Sequence, residues 1–212
     1  MVDNIVAVIQ ARLGSKRFPR KSLALYKGET LIRNVVRRVK QVRSIDKVVA
    51  AIPISDDLIL RDEFIASGVD SVEYGSESNV LQRVLHAAVL HKASMVVRVT
   101  ADCPVWSPIA AEGTIQSYIT DNKKRSFWSN DTTMSGWPDG TDVEVFSIGI
   151  LKDAEQAAVT PSDREHVTTW MRRNTKCGIY KRKHDRWSET KLSVDTPDDL
   201  VKLQALDIPV EW

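Results

Sequence analysis

Residues 5–21 read Ile-Val-Ala-Val-Ile-Gln-Ala-Arg-Leu-Gly-Ser-Lys-Arg-Phe-Pro-Arg-Lys, an apolar run followed by a basic loop. The unbroken apolar residues from Ile5 to Ile9 are typical of a strand covered on both faces, as strands in a parallel sheet are. Ligands of such sheets bind beyond the carboxyl ends of the strands. The stretch therefore predicts a parallel sheet with a ligand site after its first strand.

The same pattern continues as alternating strands and helices up to residue 99. A helix after the loop is indicated by apolar residues at helical spacing, namely Ile32, Val35, Val36, Val39 and Val42. Further strands are predicted at 47–52, 71–74 and 95–99, and further helices at 56–67 and 79–91. This alternation predicts an α/β fold built on a doubly wound, mostly parallel, Rossmann-like sheet.

The second half of the chain has a different pattern. Residues 142–146, Asp-Val-Glu-Val-Phe, alternate polar and apolar, which indicates an antiparallel or edge strand with one exposed face. Residues 160–163 and 196–199 each combine a capping hydroxyl, a proline and an acid, as the start of a helix does. We therefore predict one domain over residues 1–212, with a small antiparallel and helical extension at about 126–190.

Composition and charge exclude several classes of protein. The 212 residues include 30 Lys and Arg and 28 Asp and Glu, a net charge of +2, which is too small for a protein that coats nucleic acid. No stretch approaches the roughly 18 apolar residues of a membrane span, and residues 1–4 lack the basic start of a signal peptide. Cys103 and Cys177 form no C-x-x-C pair and suit reduced thiols. We expect a cytoplasmic protein with neither a nucleic-acid nor a membrane partner.

The loop after the first strand predicts a phosphate site. Residues 12–21 contain five basic residues and no acid, namely Arg12, Lys16, Arg17, Arg20 and Lys21. Gly14 and Ser15 allow a tight turn with exposed backbone N–H groups, which bind phosphate together with guanidinium and ammonium groups. The P-loop motif and the dinucleotide motif G-x-G-x-x-G are both absent. The alternative is a basic loop that is merely solvated.

Two aspartates are candidate ligands of Mg²⁺, with Mn²⁺ as a substitute. Asp102 follows the strand at 95–99, and Asp195 stands where an apolar segment, expected to be a strand, meets a capped helix. Mg²⁺ is usually held by one or two carboxylates together with phosphate oxygens. The alternative for each aspartate is a favourable interaction with a helix dipole.

Other charged residues are candidates for contact with ligands. Arg98 interrupts an apolar strand and needs an anionic partner, which is either a ligand or a structural acid. Asp142 and Glu144 share a strand face after the turn at 138–141. A dense polar run opens the helix at 163–166. The alternatives are solvent-facing acids on the strand and a charged first turn on the helix.

Five blocks of sequence together resemble the cytidylyltransferase family, above all its spore-coat-polysaccharide branch, which is related to the synthetases of CMP-activated octulosonate and sialic acids. The blocks are Ile9–Lys21, Val97–Pro104, Pro138–Phe146, Asp163–Thr168 and Val194–Leu200. The resemblance implies a glycosyltransferase-A-like nucleotidyltransferase that uses CTP and Mg²⁺ and releases pyrophosphate. It implies that Arg12, Lys16, Arg17 and Lys21 form the triphosphate loop and that Asp102 and Asp195 bind the metal.

Residues and resemblance together predict a CTP-dependent enzyme that moves CMP to a sugar-acid or phosphorylated acceptor, in the synthesis of surface polysaccharide precursors. The catalytic residues are predicted to be Arg12, Lys21 and Asp102. The predicted nucleotide site consists of Ala11, Arg12, Gly14, Ser15, Lys16, Arg17, Lys21 and Arg98. The predicted acceptor site consists of Asp139, Asp142, Glu144, Arg164 and His166. The extension at about 126–190 is assigned to acceptor binding and to a homodimer interface.

Two alternatives remain open at this point. A glycosyltransferase that consumes a nucleotide sugar usually carries an Asp-x-Asp pair, and none occurs in the chain. A non-catalytic nucleotide-binding protein would have no need of both aspartates and the basic loop. Arg20 and Ala101 stand where the resembling family usually has glycine, which leaves the acceptor less defined than the chemistry.

Overall fold

A computed structural model describes residues 4–121, 124–130 and 135–209. Residues 1–3, which carry most of the argument against a signal peptide, lie outside the described residues. So do residues 131–134 of the predicted extension.

The strands form one seven-stranded sheet and one two-stranded hairpin. In chain order they are β1 (Ile5–Gln10), β2 (Leu25–Tyr26), β3 (Glu29–Thr30), β4 (Lys47–Pro53), β5 (Ser71–Gly75), β6 (Met95–Thr100), β7 (Phe127–Ser129), β8 (Glu144–Ser147) and β9 (Cys177–Ile179). The order in the large sheet is β5-β4-β1-β6-β8-β7-β9, and β2 pairs with β3.

Helices connect the strands. They are α1 (Leu31–Val39), α2 (Asp57–Ser67), α3 (Val80–Leu90), α4 (Pro108–Thr120), α5 (Ile148–Ala157), α6 (Pro161–His166), α7 (Thr169–Asn174) and α8 (Pro197–Gln204), with short 3-10 turns at Lys21–Leu23 and Ile54–Asp56. The predicted capping threonines are confirmed, because Thr160 accepts the backbone N–H of Asp163 and Thr196 that of Asp199.

The first half of the sheet is parallel and covered on both faces, as predicted. β1 lies between β4 and β6, with Ile9 opposite Ala50 and Val99. Ala7 and Ile9 pack in one cluster with α1, α2 and α4, while Val6 and Val8 pack in a second cluster with α3, α5 and α7. The apolar side chains of β1 thus alternate between two cores, which explains why its sequence shows no polar face.

The second half adds an antiparallel strand, as expected. β8 pairs antiparallel with both β6 and β7, and β9 runs parallel to β7. The expected exposed face of β8 is wrong, because Val145 joins the cluster under α4 and Phe146 the cluster under α5. Glu144 is also buried, at 7% exposure. Its polarity reflects a buried ion pair rather than contact with solvent. No helix in the described part of the chain has both the length and the apolar character needed to cross a bilayer.

Candidate active site

A cavity of about 740 Å³ opens at the carboxyl ends of β1 and β6. Every residue predicted for the nucleotide and metal sites lines it, and so does His166 at the end of α6. A smaller cavity of about 210 Å³ shares Arg98 and Thr100 with it and is also lined by Asp142 and Glu144. The fold therefore gathers residues that are far apart in sequence into two adjoining spaces.

The basic loop is held in shape by its own backbone. Leu13 donates its N–H to Asp56 Oδ2 at 2.7 Å, and the Leu13 carbonyl accepts N–H groups from Ser15 (2.9 Å) and Arg20 (3.0 Å). Gly14 lies close to Glu77, whose carboxylate Oε1 would be 2.7 Å from a Cβ at position 14. Arg20 is exposed and lines neither cavity. The fold thus turns Arg12, Lys16, Arg17 and Lys21 toward one space.

The two candidate metal ligands face the same point. The ammonium of Lys21 lies 2.6 Å from Asp102 Oδ2 and 3.3 Å from Asp195 Oδ1, and it donates to the carbonyl of Val194 at 3.0 Å. Arg17 Nη2 lies 3.0 Å from the same oxygen of Asp195. A cationic group already sits between two hard oxygen donors, so the pair fits a divalent cation. No cluster of three or more His, Cys, Asp or Glu side chains suited to a metal occurs in the described residues, and Mg²⁺ shared with phosphates needs only one or two carboxylates.

The expected strand before Asp195 is wrong, since residue 191 forms only an isolated bridge to Asp139. Asp195 is positioned instead by Lys191 and Asp199, which the sequence analysis did not assign to the site. Lys191 Nζ lies 3.1 Å from Asp195 Oδ2 and 2.8 Å from Asp199 Oδ2. The same oxygen of Asp199 accepts the backbone N–H of Asp195 at 3.0 Å. Burial opposes ionisation of Asp195, but the hydrogen bond from Lys191 and the charge of Lys21 outweigh it, so the pKa of Asp195 lies below its ordinary value.

Arg98 pairs with a structural acid, which is one of its predicted alternatives, and it also lines both cavities. Its Nη1 forms an ion pair with Glu144 Oε2, and its Nε donates to Gln10 Oε1 at 2.9 Å. Glu144 Oε1 is bound by Arg172 Nη2 at 2.9 Å and by the Thr168 hydroxyl at 2.6 Å. Burial would raise the pKa of Glu144, but the charges of Arg98 and Arg172 lower it overall. Both oxygens of Glu144 are thus engaged within the protein.

Helix α6 forms the wall opposite the basic loop. Arg12 Nη2 lies 2.7 Å from Glu165 Oε1, and Glu165 and His166 both line the larger cavity. Arg164, a predicted acceptor residue, is instead directed to Glu155 of α5 at 2.7 Å and lines neither cavity. The cationic side chain at the α6 wall is therefore Arg12, supplied from the loop.

The model of the cytidylyltransferase family matches residues 6–206. The chain belongs to the cytidylyltransferase family. The resemblance drawn from five blocks of sequence is confirmed, and the protein is a nucleotidyltransferase. Membership of this family favours a nucleotidyltransferase over the glycosyltransferase and the non-catalytic alternatives.

Individual proteins are also similar to this chain over more than half of its length. A solved cytidylyltransferase from Leptospira borgpetersenii superposes with a TM-score of 0.88 at 25% identity, over 96% of this chain and 86% of that one. The spore coat polysaccharide biosynthesis protein SpsF of Bacillus subtilis is 29% identical over 217 residues, covering 97% of this chain and 87% of SpsF. The 3-deoxy-manno-octulosonate cytidylyltransferase of Maricaulis maris is 33% identical over 121 residues, covering 56% of this chain and 46% of that enzyme.

Of the two remaining predicted acceptor residues, one lines a cavity and the other does not. Asp142 lines the smaller cavity beside Arg98. Asp139 lines neither cavity; it accepts the Ser193 hydroxyl at 3.0 Å. Burial raises the pKa of Asp139, and the negative charges of Asp195 and Asp102 add to this effect. Asp139 therefore lies near the candidate metal ligands but lines neither cavity.

The cytidylyltransferase cavity also contains residues that the sequence analysis missed. Glu77 lines it from the connection between β5 and α3, and Val80 and Arg83 line it from the first turn of α3. Their signal in the sequence was position alone, because they follow the carboxyl end of a parallel strand. Arg172 lines the smaller cavity from α7, and nothing in its local sequence distinguishes it from an exposed helical arginine.

Proposed function

We propose that this enzyme transfers the cytidylyl group of CTP to an oxygen of a small-molecule acceptor and releases pyrophosphate. One observation carries the proposal: in a member of the cytidylyltransferase family, a single cavity brings the basic loop against the pair Asp102 and Asp195. A cluster of cations suits a triphosphate, and two converging carboxylates suit the cation that accompanies it.

The proposed reaction is a substitution at the α-phosphorus. The bond from the acceptor oxygen to the α-phosphorus forms, and the bond from the α-phosphorus to the oxygen that bridges it to the β-phosphate breaks, with that oxygen leaving on pyrophosphate. A hydroxyl acceptor gives its proton to solvent, whereas a phosphate acceptor attacks through an oxygen that is already ionised. Negative charge accumulates on the departing pyrophosphate. Arg12, Lys16 and Arg17 line the cavity where they stabilise that charge, and fixed cations of this kind act without reorganising during the reaction.

Asp102 and Asp195 would hold a divalent cation, Mg²⁺ or Mn²⁺. Such an ion supplies charge neutralisation at the phosphate and a lowered pKa for the attacking oxygen. In this proposal Lys21, now between the two carboxylates, turns its ammonium to a phosphate oxygen. Lys191 and Asp199 keep Asp195 ionised and fixed while this exchange takes place.

The smaller cavity is the proposed acceptor site. Arg98 and Arg172 both line it, and both contact Glu144. This arrangement favours an acceptor that carries a carboxylate or a phosphate, such as a sugar acid or a phosphorylated alcohol. The names of SpsF and of the octulosonate enzyme support a sugar acid destined for surface polysaccharide. The cavity lies within the extension at about 126–190 apart from Arg98 and Thr100, which supports assigning the acceptor to this part.

Thermal shift with nucleotides tests the donor. CTP with Mg²⁺ at about a hundredfold excess over its dissociation constant is expected to raise the melting temperature by roughly 5–10 °C. UTP, ATP, GTP and a nucleotide sugar serve as controls and are expected to give smaller shifts. Equal shifts with all nucleoside triphosphates, or a shift with the nucleotide sugar alone, would contradict the proposal. Pyrophosphate release with a panel of sugar acids and phosphorylated alcohols then identifies the acceptor.

A further inference from the structure

Arg83 is a buried cation with no ion-pair partner in the described part of the chain. It lies in the first turn of α3, is only 2% exposed, and lines the larger cavity. Its Nη1 donates to the backbone carbonyls of Ser76 and, at 3.5 Å, of Glu77, while its Nε has no hydrogen-bond partner. Among the described side chains, no carboxylate lies within ion-pair distance of Arg83.

The other buried or half-buried cations of the cavity differ from Arg83 in this respect. Arg12 is paired with Glu165, and Lys21 with both Asp102 and Asp195. Each of these groups is neutralised within the protein. Arg83 therefore has no ion-pair partner among the described residues, and Asp56 and Glu77 act on its charge only from beyond ion-pair distance. A ligand that enters the cavity can compensate the charge directly.

Three features make this charge costly in the free enzyme. Burial removes the guanidinium from water, and an unpaired buried charge is destabilising. The N-terminal end of α3 carries a partial positive charge of its own, which disfavours a cation in the first turn. The nearby guanidinium of Arg12 adds a like charge. Burial and this charge together lower the pKa of Arg83 to about 10, although Asp56 and Glu77 act in the opposite direction. An anion bound beside Arg83 relieves all three effects together.

Local packing accommodates this particular side chain. A Cβ at Gly75 would lie 3.0 Å from Arg83 Cγ, so the chain leaves room there for the stem of the arginine. Arginine also offers a planar fork of donors that matches phosphate oxygens, which lysine does not. The unused Nε and the lack of an acid point to an anionic ligand and not to a neutral one.

We propose that Arg83 is a substrate-binding residue that donates to a phosphate group of the bound nucleotide. The inference rests on the proposed function, since it assigns the anion to the donor substrate. The donor is favoured over the acceptor because Arg83 lines the cavity with Gly14 and Arg12 of the basic loop, whereas the smaller cavity is lined by Arg98 and Arg172.

Titration calorimetry of Arg83→Met and Arg83→Lys tests this role. The probes are CTP, pyrophosphate and cytidine, with NMR titration for the weakly binding cytidine. Arg83→Met is expected to weaken CTP and pyrophosphate by about 10- to 100-fold, the range of a lost hydrogen bond to a charged group. Arg83→Lys keeps the charge and is expected to lose less affinity for CTP and pyrophosphate than Arg83→Met does. Arg37→Met, at an exposed site on α1 paired with Glu29, is the matched control and is expected to bind all probes normally.

Each outcome of the titrations has a definite meaning. If Arg83→Met loses affinity for CTP and pyrophosphate but not for cytidine, the phosphate contact is supported. Equal loss with cytidine, or no loss with any probe, overturns it. If the wild-type protein binds pyrophosphate but does not prefer CTP, the proposed function fails while the pyrophosphate titrations still decide the role of Arg83. Arg83→Lys provides the comparison if Arg83→Met does not fold.

Discussion

At the scale of single residues, Asp102 is the most direct test of the chemistry. Its carboxylate contacts Lys21 at 2.6 Å and faces the same point as Asp195. Asp102→Asn removes the charge but keeps the size, so turnover is expected to fall by at least about a hundredfold, the loss of several kcal/mol of metal-assisted stabilisation. Pyrophosphate release measures turnover, and circular dichroism checks that the fold is retained.

The matched control for Asp102→Asn is Asp62→Asn on α2, where the aspartate side chain is 67% exposed and paired with Arg61. This variant is expected to keep wild-type turnover. Near-normal turnover in Asp102→Asn would falsify the assignment of Asp102 to the reacting centre.

Glu144 offers a second residue-scale prediction, this time on stability. Replacing it by Gln leaves Arg98 without its buried counter-charge, so the free energy of unfolding at about pH 7 is expected to fall by about 3 kcal/mol. The folded protein lowers the pKa of Glu144. The ionic contribution is therefore complete above the ordinary pKa of a glutamate and is lost as the pH falls through the lowered value.

Urea unfolding of wild-type protein and of Glu144→Gln, at about pH 7 and at about pH 3.5, measures this difference. The difference in free energy of unfolding between the two proteins is expected to be smaller at the acidic pH. A gap that stays constant across this range would show that the charge of Glu144 does not stabilise the fold.

Residues were predicted from sequence to very different extents. The basic loop, Asp102 and Asp195 stand out because composition and position mark them. Arg98 stands out as a charge in an apolar strand, but its partner does not, because Glu144 meets it only through the antiparallel register of β6 and β8. Arg83 is one of many helical arginines in the sequence. The absence of an acidic partner for it among the described residues is a property of three-dimensional packing and leaves no local mark in the sequence.

At the scale of secondary structure elements, the start of α8 has two roles. Thr196 caps the helix by accepting the N–H of Asp199, and Asp199 in turn binds the backbone N–H of Asp195. Thr196→Ala is expected to cost about 1 kcal/mol of stability, as the loss of a helix cap does. It is also expected to lower turnover several-fold at unchanged protein concentration, because Asp195 loses part of its support.

Thr30→Ala is the matched control for Thr196→Ala, because Thr30 caps α1 in the same way but lines neither cavity. Its loss of stability should be similar and its turnover unchanged. Chemical denaturation and pyrophosphate release are measured on both variants. If the two variants have equal turnover, the cap of α8 stabilises the fold but does not support Asp195.

The longer elements were predicted well and the short ones were not. The four parallel strands were predicted to within one or two residues, because an unbroken apolar run between turns has few other interpretations. β7 and β9 contain three residues each, too few to show a period. The exposed face expected for β8 was wrong because helices from distant parts of the chain cover both of its sides. An alternating sequence shows only which positions of a strand are polar. A side chain in a buried ion pair is as polar as one in solvent, so the two cases give the same pattern.

At the scale of the whole molecule, we propose that the extension at about 126–190 also forms a homodimer interface, as predicted from its apolar and tryptophan content. β9 supports this proposal, because it is the last strand of the large sheet and has a free edge in the described chain. Analytical ultracentrifugation at micromolar concentration is expected to show a species of about twice the chain mass of 23.8 kDa. A single species of 23.8 kDa would contradict the dimer.

The position of Lys21 between Asp102 and Asp195 has a consequence for how the two ligands of the proposed reaction arrive. A divalent ion that binds alone must displace an ammonium that then has no counter-charge, and a triphosphate that binds alone meets two free carboxylates. Each ligand removes the obstacle to the other. We therefore expect positively cooperative binding, in which linkage requires that CTP tighten the ion by the same factor by which the ion tightens CTP.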